Sequence, residues 1–275
     1  MPIKADIKIL PALSHLELTK VTAFGDNSQE KHYHDQLSFA VVTKGMGTFK
    51  FRDGNQRVHK GAIIKINPGE VHSSGKSTSQ EPLEYRVFYL SNTLVSNILN
   101  AEEQKRAEEI DFLEKISYNN DFFINCLQTH LKLHQATGLL NVESVFTQLM
   151  LALFHHNCHT KLRLPTIDTK PSYLSTIIDY LHAYYGKSIS LKQLSNIANR
   201  SPSQILRTFQ KHIGVAPHTY LTNLRVIKAK ALLAQNRSIA QTALEVGFHD
   251  QSHFHRYFKR ITHVTPGNFI KSLSK

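Results

Sequence analysis

Residues 239–269 read IAQTALEVGFHDQSHFHRYFKRITHVTPGNF. The first eight, Ile239 to Val246, have helical spacing. Gly247 then breaks the run, and Asp250-Gln251 opens a second helix with a side chain well suited to N-capping. In that second helix Phe254 and Phe258 stand four apart and face a core, which turns Ser252, His253 and Arg256 outward. Laying the chain over itself at an offset of 49 aligns Ser203 with Ser252, Arg207 with Arg256, Phe209 with Phe258, Val215 with Val264 and Pro217 with Pro266, and Tyr220 then meets Phe269. One structural unit is therefore used twice. The earlier copy runs through a helix from Leu191 to Asn199, a break at Asn199-Arg200, and a second helix opened by Ser201-Pro202, an N-cap followed by proline at the first helical position. There Ile205 and Phe209 face the core and Ser203, Gln204 and Arg207 face outward. Between the copies, Tyr220 to Gln235 carries Leu221, Leu224, Ile227, Ala231 and Leu232 and reads as one continuous helix that fixes the spacing of the two units. Helices with polar and basic residues in their first turns suit insertion into a major groove, and two heads on one duplex face would lie roughly 34 Å apart.

Charge points the same way. The chain has 275 residues and a formal charge of +12, but residues 171–275 hold fourteen Lys/Arg against three Asp/Glu, while residues 1–170 hold nineteen against eighteen. A basic part of this kind favours a polyanion partner, because each phosphate contacted releases condensed counterions. The length suits two domains, each with its own core. Thr160 to Pro171, polar and bracketed by Pro165 and Pro171, reads as the linker. Cys126 and Cys158 both fall in apolar helical patterns, so no disulfide framework is implied. The start lacks a signal-peptide pattern, and the longest apolar run, Leu149 to Phe154, is far too short to span a bilayer. A cytoplasmic chain without membrane contact is the expectation.

Residues Ile239 to Phe269, with Gly247-Phe248, Asp250 to Phe254, Arg256, Phe258-Lys259 and Thr265-Pro266, resemble the signature of AraC/XylS-type transcription regulators, and the likeness extends over Tyr173 to Leu273. The resemblance implies a seven-helix domain in which Ser203, Gln204 and Arg207, with Gln251, Ser252, His253 and Arg256, face bases or nearby phosphates, while Lys211 and Lys259 grip the backbone. His263 departs from the pattern: the family has glycine there, as the first copy does at Gly214. The first unit presents Ser203 and Leu206 where larger polar side chains would read bases, so its readout is expected to rest on Arg207 and Gln204.

The amino-terminal part changes period. Leu37 to Thr43, Thr48 to Arg52, Ala62 to Ile66 and Glu84 to Leu90 are β-like; Asp53-Gly54 signals a hairpin, and Ser73 to Gln80 reads as a polar loop. From Thr93 the pattern is helical, with apolar stripes at Phe123, Cys126, Leu127 and Leu131 and from Val142 to Phe154, which pack on the sheet, on each other or on a second subunit. His32 and His34, read as projecting from one face of a strand, and His72, after the turn at Asn67 to Gly69, would converge inside a barrel, where three imidazoles can bind a transition metal. This part resembles the cupin-like sensor domain of AraC-type regulators. Ser38 and Phe39 occupy the neighbourhood in which the cupin metal pattern has a glutamate, so a small-molecule effector is favoured over a metal at His32, His34 and His72. Packing of His32 in the core is the bland alternative.

The expected architecture is multi-domain α+β: a cupin-like β-barrel with accessory helices from about residue 93 in 1–159, a linker in 160–171, and an all-α domain with two helix-turn-helix units in 172–275. The expected function is sequence-specific DNA-binding transcription regulation, up or down, under a small-molecule effector near His32, His34, His72 and Arg86, with no cofactor. Promoter DNA, a second copy of the chain joined through the amino-terminal domain and its helices, and RNA polymerase are the expected partners. The rivals are a metal-dependent cupin enzyme fused to a basic domain, although no nucleophile–base pair or phosphate-binding glycine loop appears, and a non-specific architectural DNA binder.

Overall fold

A computed structural model describes residues 3–10, 13, 16–25, 30–77, 81–99, 110–112, 114–135, 146–150, 153, 159–160 and 171–273. The linker reading for 160–171 and Cys158 therefore fall almost wholly outside the described residues. The described residues of the amino-terminal part form eleven strands, among them β1 (Lys4–Leu10), β2 (Leu16–Ala23), β3 (Leu37–Lys44), β4 (Met46–Phe51), β5 (Gly54–His59), β6 (Ile63–Ile66), β7 (Ser73–Ser77) and β8 (Leu83–Leu90). The short pieces β9 (Ile110–Asp111), β10 (Ile116–Ser117) and β11 (His159–Thr160) complete them. A six-stranded antiparallel sheet has the order β1-β2-β8-β3-β6-β10, a smaller one the order β5-β4-β7, and β11 pairs with β9.

The central strand β3 is apolar without alternation because both of its faces are covered. Leu37, Phe39 and Val41 look toward Cys126, Phe122, Phe123, Leu149 and Met150, on α2 (Asn120–Gln135) and the helical stretch 146–150. Ala40 and Val42 look the other way, into a second core with Phe49, Phe51, Val58 and Tyr85 between the two sheets. A further helix, α1 (Asn92–Leu99), adds Leu94 and Val95 to the first core. The single-residue turn between β3 and β4 needs Gly45: its φ is +73°, and a Cβ there would stand 2.4 Å from the Pro82 carbonyl oxygen.

Three local readings change. The β4–β5 hairpin closes with Phe51 opposite Gly54, so Arg52-Asp53 form the turn, one residue earlier than expected. Ser73 to Ser77 is a strand rather than a loop, since pairing with β4 supplies the backbone partners its composition does not promise. Strands β1 and β2 precede everything read as β from the sequence.

The carboxy-terminal part has seven helices: α3 (Ser172–Ala183), α4 (Leu191–Ala198), α5 (Pro202–His212), α6 (Pro217–Ala234), α7 (Ile239–Glu245), α8 (Gln251–Thr262) and α9 (Pro266–Leu273). Leu174, Ile177, Leu194, Ile205, Phe209 and Leu221 form one core, and Val226, Ala229, Leu233, Val246, Phe254, Phe258 and Phe269 form the other. Helix α6 feeds both, which makes it the rigid tie between the units. The second core is completed from the other domain by Ile9 of β1, 3% exposed. No helix among the described residues is long and apolar enough to cross a membrane.

Candidate nucleic-acid interface and effector cavity

Both recognition helices are built as the repeat implies. The Ser201 hydroxyl accepts from the Gln204 backbone N–H at 3.3 Å, the Gln204 Oε1 accepts from the Ser201 N–H at 3.0 Å, and Pro202 opens α5. Asp250 Oδ1 accepts from the His253 N–H at 2.7 Å to cap α8. Ile205, Phe209, Phe254 and Phe258 are wholly buried, so the opposite faces are turned to solvent. On α5 that face shows Ser203, Leu206, Arg207, Gln210 and Lys211; on α8 it shows Gln251, Ser252, Arg256 and Lys259. His253 is half-buried, edge-on to Tyr257 at 4.8 Å and to Phe248 at 5.4 Å.

Gln204 is the member of the expected set whose chemistry is already committed. Its carbonyl closes the capping box, so it holds the helix start rather than projecting freely. Leu206, 41% exposed, and Gln210 take the outward positions beside Arg207. At the end of α8, His263 adopts a left-handed φ of +66°, so it fills the place that Gly214, φ +93°, holds in the first unit. The turn keeps its form despite the missing glycine.

The three amino-terminal histidines do converge, with ring centroids 4.3 Å apart for His32–His72, 5.1 Å for His34–His72 and 6.4 Å for His32–His34. His32 is not on a strand of either sheet. It meets His72 through one pair of reciprocal backbone hydrogen bonds of 2.9 Å. Each Nδ1 lies against a backbone carbonyl: His32 to Glu30 at 2.9 Å, His34 to Gln36 at 2.7 Å, His72 to Glu70 at 2.9 Å. Burial pushes His34 and His72 down to about 3 and lowers His32 well below 6.5, with neighbouring imidazoles adding to the shift. Ser38, which stands where a metal pattern would have its glutamate, instead lies 3.3 Å from His34 Nε2. Among the described residues no group of three or more His, Cys, Asp or Glu is placed to hold a metal ion.

Arg86 does not join them. Successive side chains on a strand point to opposite faces. Tyr89 of β8 meets His34 edge-on at 5.1 Å, whereas Arg86 has the parity of Phe88 and Leu90 and lies on the helix-covered face, 3.3 Å from His130 Nδ1.

The cavity beside the histidines is not inside the sheets. It measures about 350 Å³ and lies between the domains, walled by Glu17, Thr19, His32, His34 and Tyr89 on one side and by Val226, Ile227, Lys230, Ala231, Ile261 and His263 on the other. Lys230 of α6 donates to Glu17 Oε2 of β2 at 2.6 Å across it. Nearby, Tyr33 stacks on Tyr220 at 4.9 Å, Arg52 Nη1 donates to the His212 carbonyl at 2.8 Å, and Arg260 pairs with Glu30. Nothing in the sequence alone announced Lys230 or Glu17, because their meaning depends on how the domains dock.

Comparison with known proteins covers both parts. The family described as an AraC-like ligand binding domain matches residues 22–150, and the one described as a helix-turn-helix domain matches residues 194–272. The chain is similar to the HTH-type transcriptional regulator YbfI of Bacillus subtilis, 24% identical over 81% of this chain and 80% of that one. It is also similar to the HTH-type transcriptional activator RhaS of Yersinia pestis, 23% identical over 88% and 89%. Among solved structures, apo ToxT of Vibrio cholerae matches with a TM-score of 0.57 at 13% identity, over 94% of this chain and 97% of that one, which shows the shared two-domain fold.

Proposed function

The chain belongs to the AraC-type transcription regulators and is a DNA-binding regulator, not an enzyme, and from that premise we propose that a small molecule held between its domains controls how α5 and α8 read promoter DNA. The observation that carries this reading is the cavity's composition. One wall is sensor domain and the other is the end of α8 with α6, the helix whose residues enter the cores of both reading heads. A ligand touching both walls has differential contact with docked and loosened arrangements, which is what shifting an equilibrium requires. A ToxT structure is described as unsaturated fatty acid bound, so a regulator of this fold takes a small organic ligand.

In this reading Arg207 and Arg256 read base edges, Ser203, Gln251, Ser252 and His253 contact bases or adjacent phosphates, Lys211 and Lys259 hold the backbone, and Gln204 acts mainly as the cap of α5. His32 and His34 belong to the effector wall, with His72 behind them. The domains run over 1–159 and 172–275 with 160–171 between. The amino-terminal domain joins two copies, which sedimentation analysis tests, and bound DNA presents the regulator to RNA polymerase. Selection from a random DNA library followed by binding measurements tests the readout. Arg207→Ala and Arg256→Ala should each cost about 1–3 kcal/mol on the selected sequence and much less on random DNA. Equal losses on every sequence would remove direct base reading and leave a backbone binder.

A further inference from the structure

We propose that Leu206 is a specificity-determining residue of the first unit: its side chain enters the major groove and reads the C5-methyl group of a thymine close to the base pair that Arg207 contacts. This rests on the reading of α5 as a helix that contacts bases.

The starting point is an exposure that the free protein does not account for. Leu206 is 41% exposed with both domains present, and among the described residues it is the one large apolar side chain left exposed on either recognition helix. Ile205 and Phe209 are wholly buried and define the inner face of α5. At 3.6 residues per turn Leu206 is carried about 100° round from Ile205, onto the edge of the outward stripe formed by Ser203, Arg207 and Gln210. A leucine there keeps apolar surface in water until something covers it.

The surroundings say what does. Ser203, Arg207, Gln210 and Lys211 are all exposed around it. An apolar protein partner would have to bury Arg207 and Lys211 without counter-charges, which is costly. A DNA groove answers both kinds of group. The phosphates take the cations, and the thymine methyl is the apolar group that the base edges present in the major groove. Leucine has no donor or acceptor, so the base feature it can recognise is that methyl. The polar side chains nearby leave this task to it. Gln204 is held in the capping box with Ser201, and Arg207 Nε donates to the Ser203 carbonyl at 3.4 Å, which lays the guanidinium back over the first turn, the end of the helix that enters the groove.

The second unit cannot make the same contact. The offset of 49 brings His255 to the place of Leu206, and His255 is half-buried with its Nε2 shielded from solvent. Methyl reading therefore belongs to one half of the DNA site, and the other half is an internal control.

The test uses the full chain and a duplex selected from a random library. Each thymine in turn is replaced by deoxyuridine, which removes the methyl group and keeps the pairing edge, and affinity is measured for the native chain and for Leu206→Ala. At one thymine the native chain should lose about four-fold, the effect of one methyl-sized group left in water. Residues rise about 1.5 Å along a helix and base pairs about 3.4 Å along the duplex, so that thymine should lie within about two base pairs of the guanine that Arg207→Ala identifies. Leu206→Ala should bind the thymine and deoxyuridine duplexes equally, with its melting temperature unchanged because the position is exposed. A methyl effect at no thymine, one that survives in Leu206→Ala, or one confined to the half read by Arg256 overturns the assignment. Arg207→Ala keeps the two readings apart. If it weakens the selected sequence far more than random DNA while no methyl matters, α5 reads bases without Leu206; if it weakens both equally, α5 does not read bases and both readings fall.

Discussion

His32 and His72 are 5% and 4% exposed with their rings 4.3 Å apart, so protonating either one buries a charge against a second imidazole. Both titrate below the ordinary value of 6.5, burial being the first cause. In the unfolded chain they take up protons near 6.5, whereas in the folded chain they resist until about 3 for His72. Acid therefore favours the unfolded state. Their contribution is complete above pH 6.5 and is lost as the pH falls through the window toward the folded value, at about 1.4 kcal/mol per pH unit for each. Melting temperature should be nearly flat from pH 8 to 7 and fall steeply from 6 to 5, with a shallower fall in His72→Gln. A flat acid limb would mean that these rings are solvated. At the same scale His263 carries a left-handed backbone and a Nε2 without a partner among the described residues, and burial pushes it down to about 4, so it belongs to the same acid-sensitive group on the other wall of the cavity.

Among the elements, the two helix-turn-helix turns differ in how much they tolerate. Gly247 has φ +87°, and a Cβ there would stand 2.7 Å from the Gly186 carbonyl oxygen and 2.9 Å from an Arg225 nitrogen that donates to the Lys187 carbonyl. Gly247→Ala should cost about 2 kcal/mol or more in urea unfolding, from left-handed strain and the clash together. Asp250→Ala, which removes only the cap of α8, should cost about 1 kcal/mol and leave the unfolding cooperative. Elements of this kind were legible in the sequence because capping, turn and core signals lie within a few residues of one another: Ser201-Pro202, Asn199 in its left-handed conformation, Asp250 and the paired phenylalanines all occupy the places read for them. The β part was less legible. Strand β7 exists because β4 pairs with it, and β1 because β2 and α9 cover it, and neither cause is local. Arg86, expected beside the histidines, lies by strand parity on the opposite face. The histidine cluster was foreseen, while the wall that completes the cavity, Lys230, Ala231 and Ile261, belongs to a domain whose docking no short-range pattern encodes.

For the whole molecule the decisive question is whether the two heads move as one body. Helix α6 has 18 residues, which at 1.5 Å per residue gives about 27 Å, and it contributes Leu221 to the first core and Val226, Ala229 and Leu233 to the second. It is also held from the sensor side, by Glu17 at Lys230 and by Tyr33 stacked on Tyr220. A continuous helix anchored at both ends does not stretch, so the spacing of the two heads is set by protein geometry; to read one face of a duplex together they would have to meet successive major grooves, roughly 34 Å apart. Once a binding sequence has been selected, inserting five base pairs between its halves should abolish simultaneous contact by rotating one half to the far face. Inserting ten base pairs restores the face but adds a full turn of length, and a rigid tie predicts that affinity stays at the single-head level. A flexibly joined pair of heads would instead recover with ten. Arg256→Ala on the ten-pair insertion completes the argument: if only one head binds there, removing the proposed base contact of the second unit should change affinity by far less than on the uninterrupted sequence. A full loss on both would show that the heads span either spacing and that α6 does not fix them.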